Sequence, residues 1–179
     1  MSALPARMLV MMGDQCACIR IMGRANFASS VDFGTLVNEL RRTGCGSFVL
    51  DLSECVLMDS TFLGVLAGFG LKYGAGEGGQ GWRGIKLLNP SARITELLET
   101  LGVLHLFELT QGSLDPAAFN PPQEAAPANV TKAEMARTSL EAHQTLMGIN
   151  PANAARFKDV AQFLAEDLKN QGSPLSRRD

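Results

Sequence analysis

FVLDLSECVLMDSTFLGVLAGFG, residues 48–70, contains a short apolar run, a polar trio and a longer apolar run. The first run, 48–52, includes one acid and has the length and composition of a central β-strand. The second is typical of an apolar helix that begins at Asp59 or Ser60. The hydrophobic pattern does not account for Asp59, Ser60 and Thr61, so we take this trio as the candidate functional site.

The sequence around this stretch alternates between strand and helix signals. Two apolar runs within 8–22 are separated by Gly13 and Asp14, which predicts a β-hairpin. The other predicted elements are a helix capped by Ser29 or Ser30, a strand at 85–88, a helix that starts at 89–91 and an edge strand at 104–109. We therefore expect an α/β fold with a mixed β-sheet of about five short strands packed with helices.

The composition changes after residue 110, where the predicted core domain ends. A capping-box pattern at Thr131 and Glu134 starts a helix with an apolar stripe, and Asn150 and Pro151 separate it from a second helix. The predicted units are a core domain at 1–110, a Pro/Ala/Gln/Asn-rich linker at 111–130, a C-terminal α-helical hairpin at 131–171 and a tail at 172–179. The hairpin must bury its stripe on the core domain or on another chain.

Charge and hydropathy exclude several classes of protein. The formal charge of −2 and the pI near 5.7 provide no basic field for nucleic acid or an anionic membrane. The longest apolar runs reach roughly half of the about 20 residues that a transmembrane helix needs. The N-terminal residues lack the pattern of a signal peptide. We expect a cytoplasmic protein that binds neither nucleic acid nor membrane.

The residues that usually carry metal or cofactor chemistry do not form a known pattern. The glycine-rich run 74–81 lacks the G-K-[ST] of a phosphate loop, which favours a flexible loop. The four cysteines have no zinc-knuckle spacing, and we expect buried thiols and no cofactor or metal; they are Cys16, Cys18, Cys45 and Cys55. No G-x-S-x-G elbow is present, and His105 and His143 have no evident triad context. We expect no catalytic residues and no enzyme.

The trio Asp59, Ser60 and Thr61 lies at a helix N-terminus, where exposed N–H groups and the helix dipole favour anions. One interpretation is that Asp59 or Ser60 only caps the helix. The chain also resembles the STAS family, the sulphate-transporter and anti-sigma-factor-antagonist domains. The resemblance rests on VLDLS at 49–53, MDSTFLGVL at 58–66, LLNPS at 87–91 and LLETLGV at 97–103, and it covers roughly 8–109.

The resemblance implies a phospho-switched regulatory module. In antagonists of this type the residue aligned with Ser60 is phosphorylated, and the unmodified form binds an anti-sigma factor that is also a serine kinase. It makes Ser60 the phosphoacceptor, with Thr61 as second choice. It places partner contacts at Asp59, Ser60, Thr61, Phe62 and Gly64. Phe62 stands where the family usually has Gly, and its ring either hinders a kinase or anchors the partner.

A second hypothesis assigns binding to the C-terminal hairpin. The chain would then be a constitutive interaction or scaffold module in which Ser60 only caps a helix. The hairpin is not general in the family, so covering the site, forming a homodimer through its helices and holding a different partner all stay open. A small-ligand binder or enzyme at the helix N-terminus is the third hypothesis, and the sequence offers few convergent side chains for it.

Overall fold

The computed structural model describes residues 6–73, 84–127 and 129–171. The glycine-rich run 74–81 and the predicted tail 172–179 lie outside these residues. The strands are β1 (Arg7–Met12), β2 (Cys16–Ala25), β3 (Ser47–Asp51), β4 (Cys55–Met58), β5 (Gly84–Leu88), β6 (Glu108–Thr110) and β7 (Gln123–Glu124). The helices are α1 (Phe27–Arg42), α2 (Ser60–Tyr73), α3 (Ala92–Thr100), α4 (Lys132–Ile149) and α5 (Ala152–Gln171).

The strands form one mixed sheet in the order β6-β5-β3-β2-β1-β7. The remaining strand, β4, pairs in parallel with the end of β2. β1 and β2 make the predicted antiparallel hairpin, while β2, β3, β5 and β6 run parallel. The predicted α/β class, mixed sheet and C-terminal helical pair are therefore confirmed. The two strands beyond the expected number are short: β4 lies within the opening stretch, and β7 lies within the predicted linker.

Two local predictions differ from the structure. The cap of α1 is Asn26, whose side chain accepts hydrogen bonds from the backbone of Ala28 and Ser29, while the Ser29 side chain completes the capping box. Ser29 and Ser30 therefore lie inside the helix. The predicted strand 104–109 begins with a 3-10 turn instead. Leu104 and Leu106, within that turn, pack against the core, and pairing with β5 starts only at Glu108.

The acid within the first apolar run is part of an ion pair at the end of β3. The carboxylate of Asp51 accepts from Arg20 Nε at 2.9 Å and from the hydroxyl of Ser53 at 2.7 Å. Burial acts to raise the pKa of Asp51, but the hydrogen bonds from Ser53 and the charge of Arg20 together hold it below the usual range. A buried acid in a central strand is tolerated here because it is fully hydrogen-bonded.

The two helices α1 and α2 lie side by side on the sheet, and α4 packs on them from outside. α5 packs mainly on α4. Asn153, at the start of α5, is buried and donates from Nδ2 to the carbonyl oxygens of Leu101 and Leu146 at 2.9 and 2.8 Å. The hairpin is therefore attached to the core domain near the end of α3 as well as along α2.

Candidate functional site

Asp59 fastens the first turns of two helices. Its Oδ1 accepts from the backbone N–H of Phe62 at 2.9 Å, and its Oδ2 accepts from the backbone N–H of Phe27 at 2.7 Å. N–H groups in a first turn have no acceptor within their own helix. Asp59 therefore supplies the cap of α2 and also ties α2 to α1. The hydroxyl of Ser60 is left available for another contact.

Ser60 directs its hydroxyl at a histidine of the C-terminal hairpin. Its Oγ lies 2.9 Å from Nε2 of His143, and Nδ1 of that ring lies 2.6 Å from the carbonyl oxygen of Ser139. A carbonyl only accepts, so Nδ1 carries a proton; in that tautomer of the uncharged ring, Nε2 accepts from the hydroxyl of Ser60. His143 is 3% exposed and packs against Phe157 with ring centroids 5.0 Å apart. The hairpin thus contacts the predicted phosphoacceptor directly.

The same side of α4 covers the next turn of α2. Oγ1 of Thr61 lies 3.0 Å from Oγ of Ser139. At Gly64 a Cβ atom would lie 2.4 Å from the carbonyl oxygen of Ala142, well inside ordinary van der Waals contact. Only glycine allows this approach. We call the packing of α4 over Ser60, Thr61 and Gly64 the α4 cover, and it occupies the surface where the family resemblance predicts partner contacts.

Phe62 lies in the core. Its side chain is 0% exposed, and its ring lies 4.8 Å from that of Phe33, which joins α2 to α1. The ring is therefore not part of the exposed surface beside Ser60. The role of Phe62 in partner binding stays a prediction, and its observed contacts are those of a packing residue.

A cavity of about 490 Å³ opens beside Ser60, between the start of α2 and the hairpin. Its ionisable lining residues are Lys132, His143 and Arg156, and no carboxylate lines it among the described residues. Most of the remaining wall is apolar, contributed by Phe27, Met135, Ala136, Phe157, Val160 and Leu164. Ser60 is half-buried and faces this space, so its hydroxyl has a solvent-connected side despite the α4 cover.

Ser60 and His143 stand at the distance of a nucleophile and its general base. The ring is oriented by the carbonyl of Ser139, where a hydrolase would use a carboxylate. The backbone N–H of Phe62, which could otherwise stabilise an oxyanion, already donates to Asp59. Nε2 of His143 can accept the hydroxyl proton of Ser60, as phosphorylation of that oxygen requires. The pair differs from a hydrolytic site in the group that orients the histidine and in the Phe62 N–H, which is not free to bind an oxyanion.

The cysteines lie apart from this site and behave as packing residues. Cys18, Cys45 and Cys55 are buried, and Cys16 is half-buried. Burial raises the pKa of Cys18 to about 12 and that of Cys55 to about 11, which keeps both thiols protonated and unreactive. Within 6–73, 84–127 and 129–171 no cluster of three His, Cys, Asp or Glu side chains could hold a metal ion. Across the same residues no helix is long and apolar enough to cross a membrane.

The order of strands and helices is that of a STAS-like domain, and this chain adds a C-terminal helical extension to it. A solved structure with this fold is that of the anti-sigma factor antagonist SpoIIAA in its unphosphorylated form. It is 17% identical to this chain with a TM-score of 0.51, and the alignment covers 62% of this chain and 91% of SpoIIAA. The phosphorylated form, described as a Bacillus cell fate determinant, aligns at 17% identity over 62% and 95% of the two chains, with a TM-score of 0.49. No family model and no curated protein matches the sequence. At this identity the likeness establishes the fold.

Sequence reasoning located Asp59, Ser60 and Thr61 but missed His143 as part of the site. His143 lies 83 residues from Ser60, and the periodic pattern identified it only as a member of an irregular apolar stripe. The available signal was chemical: Ser139 and His143 are polar and lie four residues apart, so they share a face of α4. Polar side chains on a face that must be buried need polar partners, and Ser60 and Thr61 are those partners.

Proposed function

We propose that this chain is a cytoplasmic regulatory protein-binding module of the anti-sigma-factor-antagonist type, and not an enzyme. Its unmodified form binds an anti-sigma factor or related serine kinase through the start of α2, and phosphorylation of Ser60 ends that binding. The partner surface comprises Asp59, Ser60, Thr61 and Gly64, with Thr61 as the second choice of acceptor. Because the α4 cover lies on this surface, a partner has to displace α4 to reach it.

The observation that carries the proposal is that Asp59 and Ser60 make different contacts at the start of α2. Asp59 supplies the helix cap, so the hydroxyl of Ser60 is held by one hydrogen bond to His143 at the wall of an open cavity. In phosphorylation the bond from Oγ of Ser60 to the γ-phosphorus of ATP forms, and the bond from that phosphorus to the oxygen of ADP breaks. The hydroxyl proton passes to His143 or to water. The added phosphate carries about −1.5 to −2 charges at neutral pH beside Asp59, which disfavours an acidic or apolar partner surface.

A labelling experiment tests the acceptor. Each anti-sigma-factor kinase of the source genome is incubated with radiolabelled ATP and the wild-type chain, Ser60→Ala, Thr61→Ala or Ser113→Ala. Ser113 is an exposed serine outside the site and serves as the matched control. We expect label in every protein except Ser60→Ala. Label that survives in Ser60→Ala and disappears in Thr61→Ala moves the acceptor to Thr61, and no label with any kinase contradicts the proposal.

Calorimetry with the kinase that labels the chain tests the switch. Ser60→Asp should weaken binding at least about tenfold, because a charge buried without a partner at an interface is strongly unfavourable. Ser113→Asp adds the same charge elsewhere and should bind as the wild type does. If Ser60→Asp binds as tightly as the wild type, the phospho-switch is wrong.

The exposed side of α5 supports the second candidate, a constitutive interaction module. Phe163 is 68% exposed and Val160 is 43% exposed on this helix, and large apolar side chains exposed side by side are typical of binding surfaces. On this hypothesis Phe163→Asp abolishes binding of a protein partner or of a second copy, while Ser60→Ala leaves it unchanged. Multi-angle light scattering of wild type and Phe163→Asp separates homodimerisation from binding of a different protein.

A further inference from the structure

We infer that the C-terminal hairpin is an intramolecular receptor for phosphorylated Ser60: a phosphate on Ser60 is held by His143, Lys132 and Arg156, and the modification keeps the α4 cover closed. This inference rests on the proposed role of Ser60 as phosphoacceptor. It assigns a second part to the hairpin, which covers the partner surface in the unmodified protein and binds the phosphate in the modified one.

The first step is the space available to the phosphate. Oγ of Ser60 and Nε2 of His143 are 2.9 Å apart, so a phosphoryl group cannot stand between them. Ser60 also lines the cavity of about 490 Å³, which is large against the roughly 30 Å³ that one water molecule takes up in the liquid. Rotation of the Ser60 side chain about its Cα–Cβ bond would carry the phosphate into this cavity without moving α4 off α2.

The second step is the charge of the cavity. Its three ionisable lining residues are Lys132 at the start of α4, His143 further along α4 and Arg156 on α5. No ion pair joins Lys132 or Arg156 to another residue in the described part of the chain. Asp59 is the nearest acid in sequence, and its two carboxylate oxygens already accept backbone N–H groups. A group with two negative charges would therefore meet an excess of positive charge.

The third step is the difference between the two forms. In the unmodified chain the hydroxyl makes a neutral hydrogen bond with His143, of the kind that contributes modestly to stability. With a phosphate in the cavity, Nε2 has to carry a proton to donate, so the imidazolium is the form that binds. Charge-assisted hydrogen bonds from His143 and from Lys132 or Arg156 then replace the neutral one. All three donors belong to the hairpin, so the phosphate tightens its docking.

The test places the phosphate chemically and needs no kinase. Phosphoserine is incorporated at position 60 by genetic encoding, and hydrogen–deuterium exchange of α4 is compared in unmodified and phosphorylated full chains. We expect α4 to exchange at least about tenfold more slowly when Ser60 is phosphorylated, since charge-assisted bonds replace a neutral one. The Lys132→Ala/Arg156→Ala double variant should lose this slowing, and its unmodified form reports any effect of the substitutions themselves.

A matched control removes two charges from α5 outside the cavity. Lys158→Ala/Lys169→Ala should keep the full slowing, because neither residue lines the cavity. Phosphorus NMR gives an independent readout: the phosphate should titrate below the value of about 6 typical of phosphoserine and return to it in Lys132→Ala/Arg156→Ala. Asp59, next to Ser60 in sequence, and His143, in the cavity wall, are kept in every variant.

Faster or unchanged exchange of α4 in the phosphorylated chain overturns the inference, because the phosphate would then open the α4 cover or have no effect on its docking. Slowing that persists in Lys132→Ala/Arg156→Ala overturns the assignment of the cavity cations. Failure of the proposed function shows itself elsewhere, as an absence of kinase labelling at Ser60. The two failures are therefore distinguishable.

Discussion

Replacement of Gly64 by alanine tests whether the close approach of α4 to α2 controls the α4 cover. The new methyl group would lie 2.4 Å from the carbonyl oxygen of Ala142 and 2.6 Å from its Cβ, whereas ordinary contacts begin at 3.4 Å. The obstructing atoms belong to backbone and Cβ, which cannot rotate away. α4 must therefore shift by roughly 1 Å, and overpacking of this kind costs about 1–3 kcal/mol.

That cost falls only on the covered state. Alanine also favours the helix by about 1 kcal/mol relative to glycine, but this gain is present whether or not α4 is docked. The equilibrium between covered and uncovered α2 should move by the full clash energy, a factor of about 5 to 150. Gly68→Ala is the matched control on the same helix, since its methyl group would meet only Cγ2 of Thr145 at 4.0 Å.

Hydrogen–deuterium exchange of α4, with urea unfolding alongside, measures the effect. Gly64→Ala should speed exchange along α4 while β3 and β5 keep their protection, because local opening and global unfolding are separate events. Gly68→Ala should leave α4 protected and raise the unfolding free energy by about 0.5–1 kcal/mol. If the two variants exchange alike along α4, the reasoning from the Gly64 contact is refuted.

Three further predictions concern stability and reactivity. Asp59→Ala removes the acceptor for two helix N–H groups and should lower the urea-unfolding free energy by about 1–3 kcal/mol, whereas Asp115→Ala, which affects only an exposed turn, should change it by at most about 0.5 kcal/mol. Because the pKa of Asp51 is lower in the folded chain, its ionised form stabilises the fold fully above the unfolded pKa of about 3.9, and this stability is lost as the pH falls through the folded pKa. The wild type should therefore melt at a higher temperature than Asp51→Asn at pH 7, and the difference should shrink below about pH 4. A difference that does not depend on pH would contradict this prediction. Cys18 and Cys55 should resist a thiol reagent at pH 8 until urea unfolds the chain, and rapid labelling of either in the folded state would show that its burial is incomplete.

The sequence predicted the parts of this fold that depend on local pattern. The turn at Gly13 and Asp14, the central strand and the helix that begins at Ser60 all follow from short-range hydrophobic periodicity and turn chemistry. β4 was not predicted, because its four residues have no pattern of their own and pair with β2 across an irregular register. Pairing of that kind is decided by tertiary structure.

In the candidate site, too, local features could be predicted from the sequence and tertiary contacts could not. Asp59 and Ser60 are neighbours in sequence at a helix start, so their position could be predicted, but their different roles could not. Whether Asp59 or Ser60 caps α2 depends on the position of the Phe27 amide and of His143, both brought there by the folded chain. Burial of Phe62 against Phe33 is likewise a consequence of how α1 lies on α2.

Pairing of β7 with β1 has a consequence for any partner that binds α2. Among the described residues, the last sheet contact before the hairpin is the hydrogen bond from the amide of Ala125 to the carbonyl oxygen of Met8, and α4 begins at Lys132. Only six residues of sequence, 126–131, separate the two points, and a chain of six residues spans at most about 20 Å. A hairpin released on such a short tether stays near α2 at an effective concentration on the order of millimolar. A partner present at micromolar levels must outcompete it by affinity, so even a weakly docked hairpin sets a threshold for binding.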